Sequence, residues 1–382
     1  MFSGFIGWPS NPPLYAKVLV VITTDFVSWG GLTSVMMNYY RAMDRTNISF
    51  DFVSGNEPDK PLMEEIKKCG SHYFRLIDRK TKTLRYVAQL SKLIRKNKYD
   101  IVHVHGNSAT MTFDLLGAVI GGTRVRICHV HSTSNEHSKL HAILKPVMNR
   151  LTTHRIAVSS DAANYLYAPM KYCVLNNAIE VSRYSFDDVK RWQCRKALGI
   201  EDDDFVIGTV GKLTQNKNHV FVCDIFEKIN KPNTKWLAVG DGPEKPRIEA
   251  QLKASKLNEN SIFVGMQRDT EKYLSAMDVF LFPSYHEGFG MALLEAEANG
   301  LECICSDTIP EQVQMSNCKR ISVNEISMWC DYVLEIEKKR KDVDRIEKSK
   351  AAQKEIVQKG LEISSQADVL RNYYNEAVKE RR

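Results

Sequence analysis

The residues best equipped for chemistry lie in the stretch LFPSYHEGFGMALLEAEANG, which ends at Gly300. An apolar run, Val279–Phe282, stops at Pro283 and predicts a buried strand. Gly288 and Gly290 follow in a loop, and a helix is expected to begin near Met291. Glycines just before a helix let the backbone approach a ligand closely. The N–H groups of Phe289, Gly290, Met291 and Ala292 can then meet a phosphate at the positive end of that helix. Glu287 in the loop and Glu295 about one turn inside the helix are two carboxylates that can accept hydrogen bonds from sugar or ribose hydroxyls. An ordinary glycine-rich turn with two solvent-facing glutamates has the same spacing.

Three other turns point the same way. The strand Phe205–Val210 runs into Gly211, Lys212 and then Lys217, in VGKLTQNKN. A basic pair beyond a strand's carboxyl end can neutralise a diphosphate and a departing nucleotide, or it is simply two solvated loop lysines. Trp236–Val239 leads into Gly240-Asp241-Gly242-Pro243, a composition that any strand-to-helix turn can use. Ile262–Val264 ends at Gly265 with Arg268 close behind in VGMQRD, a turn that can lie beside a base or be a plain turn.

The first half has its own candidates. Val18–Ile22 leads through TTDFVSW to Gly30-Gly31 and the helical segment LTSVMMNYYRAM, again a close-approach geometry. Two pairs of histidines follow, His103 and His105 in DIVHVHGNS and His129 and His131 in ICHVHSTSNEH. Strand alternation puts each pair on one face near the strand's carboxyl end. Four imidazoles from two strands can build a metal site. No carboxylate triad or cysteine ligand accompanies them, and histidine is common in polar clefts, so the reading taken is no metal, with His105 and His129 satisfied by backbone. Ser132 and Asn135 are candidates for acceptor contact.

These turns need elements to hold them. Short β-branched runs alternate with helical segments along the whole chain, which predicts parallel sheets covered on both faces. There are too many strands for one open sheet, and 382 residues are too many for one ordinary core. The expected fold is α/β with two doubly wound Rossmann-like domains, residues 1–178 and 179–365, facing across a cleft where the ligand should lie. Periodicity fails in NNAIEVSRYS, and the last helix, about 366–382, is expected to pack back on the first domain.

Composition excludes other classes. The net charge of +7 is spread along the chain without the basic-aromatic stripe of a nucleic-acid binder. The nine cysteines are scattered, without CxxC, and read as reduced thiols of a cytoplasmic protein. No apolar run approaches the roughly 18 residues needed to span a bilayer. The opening MFSGFIGWPSNPP lacks a basic segment and breaks at prolines, which argues against a signal peptide. The segment Thr81–Lys96 sets Lys82, Arg85, Lys92, Arg95 and Lys96 around a stripe of Leu84, Val87, Leu90 and Ile94. It reads as a solvated helix or as a basic surface for anionic lipid headgroups.

Taken in order, VGKL with its later lysine, GDGP, VGMQRD and the E-x7-E of EGFGMALLE resemble the retaining glycosyltransferases of family 4, which have the GT-B fold. The resemblance covers nearly the whole second half. It implies that Lys212 and Lys217 hold the donor diphosphate, that Glu287 orients the donor sugar, that Glu295 binds ribose hydroxyls, and that the EGFG backbone binds phosphate. Gly30 and Gly31 resemble the family's first glycine-rich loop, although Leu32, Thr33 and Ser34 stand where many relatives have an acidic residue. A cleft role falls to a histidine of HVHG, and His131 is the first choice beside the reacting sugar. GGLTSVMMN and HVHSTSNEH are most like bacterial transferases of capsule, exopolysaccharide or O-antigen synthesis. The expected substrates are a nucleotide-sugar donor, UDP favoured over GDP, and a glycan or polyprenyl-diphosphate-linked acceptor. No cofactor or metal is expected, and any membrane contact would be peripheral at the cytoplasmic face of the inner membrane. A nucleotide-sugar epimerase, a pyridoxal-dependent phosphorylase, a metal hydrolase on the HxH pairs and an inactive partner subunit are the rival readings.

Overall fold

The computed structural model describes residues 15–132 and 138–381. Each short apolar run becomes a strand. Seven of them, β1 (Ala16–Ile22), β2 (Ile48–Ser54), β3 (His72–Arg75), β4 (Ile101–Gly106), β5 (Val125–Val130), β6 (His154–Ala157) and β7 (Cys173–Val174), form one parallel sheet. Their order is β3-β2-β1-β4-β5-β6-β7. Six more, β8 (Phe205–Val210), β9 (Thr234–Val239), β10 (Ser261–Phe263), β11 (Val279–Phe282), β12 (Glu302–Ser306) and β13 (Cys318–Ile321), form a second parallel sheet ordered β10-β9-β8-β11-β12-β13. In both sheets the order reverses beside the first strand, between β1 and β4 and between β8 and β11. That reversal opens a crevice at the strands' carboxyl ends in doubly wound folds.

Alternation explains why both faces are covered. In the second sheet Val206, Leu237, Phe280, Cys303 and Cys305 face one core. Ile207, Trp236, Ala238, Leu281 and Ile304 face the other. In the first sheet Leu19, Val21, Val102, Val104, Cys128 and Val130 pack with Tyr86, Leu90 and Ile94 of the helix Thr83–Asn97. Leu84 was expected in that helix's apolar stripe but is 86% exposed. The helix begins at Thr83, so Leu84 sits in its first turn, and Tyr86 takes the buried place.

The chain forms two compact units. Residues 15–27, 43–174 and 367–381 make the first, and 28–42 with 175–366 make the second. The helix Gly31–Ala42 thus joins the second unit, unlike the division at residue 178 read from the sequence. Asn38 donates to the Ala178 carbonyl at 3.3 Å and the Tyr39 hydroxyl to that of Asn176, which ties the helix there. All nine cysteines are free thiols, six of them buried.

The amino end of the second sheet is closed by charge. Arg191 and Arg195 each donate to buried Asp278 at 2.7 Å, and Asp278 also accepts from the Val206 N–H at 2.7 Å. These cations hold the Asp278 carboxyl below its usual range despite its burial. That cluster is saturated, whereas the carboxyl end carries the candidate site.

Candidate functional site

In the second unit the sequence-marked residues converge after β8, β9 and β11. Lys217 forms an ion pair with Glu287, and its ammonium lies 4.9 Å from the centre of the Phe282 ring at the end of β11. Asn216 reinforces the link, since its carbonyl accepts from Tyr285 N–H at 2.9 Å and its amide donates to the His286 carbonyl at 2.8 Å. The loop after β8 and the loop after β11 are thereby one construction. Lys212 is exposed in the same loop.

The glycines of this region serve the backbone before they serve any ligand. Gly240, at φ +145°, and Gly242 both lie against the chain of Gly211–Leu213, where a Cβ would collide with the carbonyls of Gly211 and Leu213. Hydrogen bonds of 2.9 Å from Gly211 to Val239, from Leu213 to Asp241 and from Gly240 to Gly265 stitch three strand ends together. Asp241 also accepts from the Gly242 N–H at 2.7 Å, so its carboxylate shapes the turn. The GDGP motif is therefore read first as a close backbone crossing.

Gly290, at φ +102°, begins the helix Met291–Ala298. Its carbonyl accepts from Leu293 and Leu294 at 3.1 and 3.2 Å. Met291 and Ala292 therefore supply the first-turn N–H groups that a helix cannot use internally. Phe289 is 3% exposed and anchors the loop in the core, while Gly288 before it is half-buried and Gly290 after it is buried.

Glu295 is half-buried and takes a hydrogen bond from the Thr270 hydroxyl at 3.4 Å. Burial raises its carboxyl to about 7, against the lowering influence of the Tyr184 hydroxyl and Arg183. Tyr184, Arg183 and Thr270 escaped the sequence reading because they lie in aperiodic segments far along the chain. Arg268 is exposed, with its carbonyl accepting from Arg183 at 3.4 Å.

In the first unit β4 and β5 bring the four histidines to one face. The register pairs His105 with His129, and His103 with Ile127. His103, His105 and His129 are at most 4% exposed. Ring centroids lie 4.0 Å apart for His103 and His105, 5.0 Å for His105 and His129, and 4.1 Å for His129 and His131. His105 Nδ1 meets His131 Nε2 at 3.0 Å, and His103 Nδ1 meets the Tyr374 hydroxyl at 2.6 Å. The expectation that backbone satisfies His105 and His129 is corrected: both ring nitrogens of His129 are buried without a hydrogen-bond partner. Side chains on a strand stand perpendicular to the sheet, away from the backbone groups that the ladder already uses. Burial holds His103 and His131 down to about 3, and His105 and His129 well below the usual histidine range. All four are neutral at pH 7. Tyr374, on the helix Ile363–Arg381, was not singled out because RNYYNE carries no motif.

Gly106, which follows His105, is packed too tightly for a side chain, since a Cβ would meet Thr23 Oγ1 at 2.6 Å. Gly30 accepts from Ser34 at 2.8 Å as the helix Gly31–Ala42 begins. Ser132 lies just beyond β5, and Asn135 falls outside the described residues.

Known proteins share this fold. A model of Glycosyltransferase Family 4 matches residues 29–183, and one of Glycosyl transferases group 1 matches residues 190–353. The solved structure of Anabaena Alr3699/HepE in complex with UDP and glucose superimposes with a TM-score of 0.79 at 16% identity, covering 94% of this chain and 99% of that one. Two doubly wound parallel-sheet units with this neighbour define the GT-B fold. The chain belongs to the glycosyltransferases that carry a family 4 and a group 1 domain, and it is a transferase. EpsF of Bacillus subtilis (strain 168), which carries a glycosyltransferase assignment, is 29% identical over 325 residues, 80% of this chain and 84% of EpsF. The UDP-Gal:alpha-D-GlcNAc-diphosphoundecaprenol alpha-1,3-galactosyltransferase of Escherichia coli is 29% identical over 242 residues, 59% of this chain and 62% of that enzyme. Among the described residues no helix is long and apolar enough to cross a membrane.

Proposed function

We propose that the chain is a retaining glycosyltransferase that moves a sugar from a UDP-sugar to a lipid-linked glycan during exopolysaccharide, capsule or O-antigen synthesis. The observation that carries this reading is the Lys217–Glu287 pair, set beside the unused N–H groups at the start of the helix Met291–Ala298. One ammonium, one carboxylate and a helix N-terminus together suit a sugar diphosphate: the cation and N–H groups take the phosphates, and the carboxylate takes sugar hydroxyls. The name of the Escherichia coli relative supplies the UDP-sugar and the diphosphoundecaprenol-linked acceptor class.

Breaking the bond from the anomeric carbon to the diphosphate leaves negative charge on the phosphate. Lys217 and Lys212, with the Met291 and Ala292 N–H groups, stabilise that charge without a divalent cation at the diphosphate. Glu287 holds the donor sugar and Glu295 the ribose. Retention follows if the acceptor hydroxyl attacks on the face that the phosphate leaves, with the departing phosphate taking its proton. A double displacement would need a second carboxylate at the anomeric carbon, beyond the Glu287 that holds the sugar hydroxyls, and no residue is assigned to that place. His131 and Ser132 are assigned to the acceptor side. Any membrane contact is peripheral, at the cytoplasmic face.

The test is thermal stabilisation by a panel of nucleotide diphosphates and nucleotide sugars with EDTA throughout. A ligand at 100 times its Kd adds about 2.7 kcal/mol. A shift with uridine ligands, lost in Lys217→Ala, supports the donor site. No shift with any of them overturns it. Product analysis with a polyprenyl-diphosphate-linked acceptor then reads the anomeric configuration, and inversion would overturn the retaining mechanism.

A further inference from the structure

The four histidines do more than line one end of the first sheet. One ring nitrogen from each of His103, His105 and His129 lies within 4.8 Å of the other two. His103 Nε2, His129 Nδ1 and His129 Nε2 are all buried with no hydrogen-bond partner. A neutral imidazole carries one donor and one acceptor, and leaving either dry and unpartnered is unfavourable. Three orphaned nitrogens on two adjacent rings therefore call for an occupant.

The geometry points to a site for one divalent transition-metal ion of the Zn²⁺ class, held by His103, His105 and His129. Imidazole is a preferred ligand of that class, and three neutral histidines with an open fourth position is one of its recurrent coordination sets. Tetrahedral coordination at about 2.0–2.1 Å places ligand nitrogens roughly 3.3 Å apart, which small ring rotations from the present positions reach.

Neighbouring residues already provide the outer support such a site needs. Tyr374 holds His103 through Nδ1 at 2.6 Å, which leaves Nε2 for the ion. His105 faces His131 through Nδ1 at 3.0 Å, which leaves its Nε2 for the ion. Coordination there makes His105 Nδ1–H the donor and His131 Nε2 the acceptor. The proton of neutral His131 is then fixed on Nδ1, the nitrogen that is buried without a partner. Metal occupancy would thus set the tautomer of the residue assigned to the acceptor side. This ion lies in the first sheet and takes no part in holding the donor diphosphate.

The test uses the full chain, stripped with EDTA and desalted, then titrated with Zn²⁺ and in parallel with Co²⁺. We expect one equivalent of Zn²⁺ retained by elemental analysis, intense visible Co²⁺ bands of a four-coordinate site, and loss of stoichiometric retention in His129→Gln. Tyr374→Phe, which keeps every ligand, should weaken affinity about 10- to 100-fold, as loss of an outer partner commonly does. If His129→Gln fails to fold, as judged by circular dichroism, the Tyr374→Phe affinity decides. Substoichiometric metal in the parent chain would show that water fills the cluster and would overturn the proposal. So would an affinity unchanged by Tyr374→Phe, because the metal would then be bound elsewhere. Donor binding measured in EDTA is unaffected by either result.

Discussion

The two constellations of this molecule solve opposite problems. In the second unit, Lys217 and Glu287 form an ion pair near the surface, 24% and 13% exposed. In the first unit, four neutral histidines lie stacked on a sheet, where Tyr374 partners His103, His131 partners His105, and both nitrogens of His129 are buried without a partner. A paired charge is ready to exchange its partner for a ligand of the same sign. A neutral buried ring is ready to donate a lone pair or a single proton. The first arrangement suits a diphosphate and the second suits a metal ion or a hydroxyl, so the units divide the chemistry by charge state.

That contrast can be broken most directly with acid. The histidines' folded-state affinities for protons are depressed, to about 3 for His103 and His131. Below about 6.5 the unfolded chain binds protons that the folded one refuses, so stability falls as pH falls from 6.5 toward 3. His103 and His131 each remove about 1.4 kcal/mol per pH unit in that window, and the depressed His105 and His129 act in the same direction. Hydrogen exchange at pH 7 and pH 5 should show Ile101–Gly106 and Val125–Val130 losing protection while Phe205–Val210 and Val279–Phe282 keep theirs. Unchanged protection of Ile101–Gly106 and Val125–Val130 at pH 5 would mean that the histidine face is wet and freely protonated.

The charged side is sharpened by Lys217→Ala. Removing one preorganised cation from developing phosphate charge should cost about 10²- to 10³-fold in kcat, or about 2.7–4 kcal/mol. Glu287 is then left without its partner, so donor-sugar binding should weaken as well. Steady-state kinetics with the cognate donor decides. A fall of less than tenfold would return Lys217 to the status of a solvated loop residue.

A smaller effect separates Glu295 from its neighbours. Burial raises its carboxyl to about 7, so the proton is held below that pH and lost above it. Only the ionised form accepts two hydroxyl hydrogen bonds, so donor affinity should rise about tenfold from pH 6 to pH 8. The four clustered histidines of the first sheet cannot supply this rise, since burial keeps them neutral throughout that range. Isothermal titration with the nucleotide at both values should show the rise, and Glu295→Gln should abolish it. A slope that survives the substitution would move the titration to another group.

These cases also explain what the sequence made legible. Every strand was visible, because a doubly wound sheet buries both faces and writes continuous β-branched runs. The donor loop was visible because its glycines and charges sit together in EGFG and VGKL. What stayed hidden depends on register and on distant chain. The pairing of His105 with His129 comes from a strand offset that composition does not encode. The raised Glu295 carboxyl depends on Tyr184 and Thr270, which come from separate loops. GDGP looked like a ligand turn because a glycine needed for a backbone crossing looks the same in sequence as one needed for phosphate.

The smallest effect tests the histidine face without touching a histidine. Tyr374 spans from the helix Ile363–Arg381 to His103 Nδ1 at 2.6 Å, and it is 1% exposed. In the metal-free chain Tyr374→Phe removes one buried hydroxyl and keeps the ring that packs near Phe50, 6.2 Å away by centroid. A net hydrogen bond is worth about 0.5–1.5 kcal/mol, and the His103 nitrogen left unpaired adds to the loss. We expect about 1–2 kcal/mol less stability by denaturant titration, with the slope unchanged. The sign of the change is informative. A neutral or stabilising outcome would mean that His103 finds another partner on losing Tyr374, and water is the nearest one. The face would then be hydrated rather than dry, and the division of the two units by charge state would lose its basis.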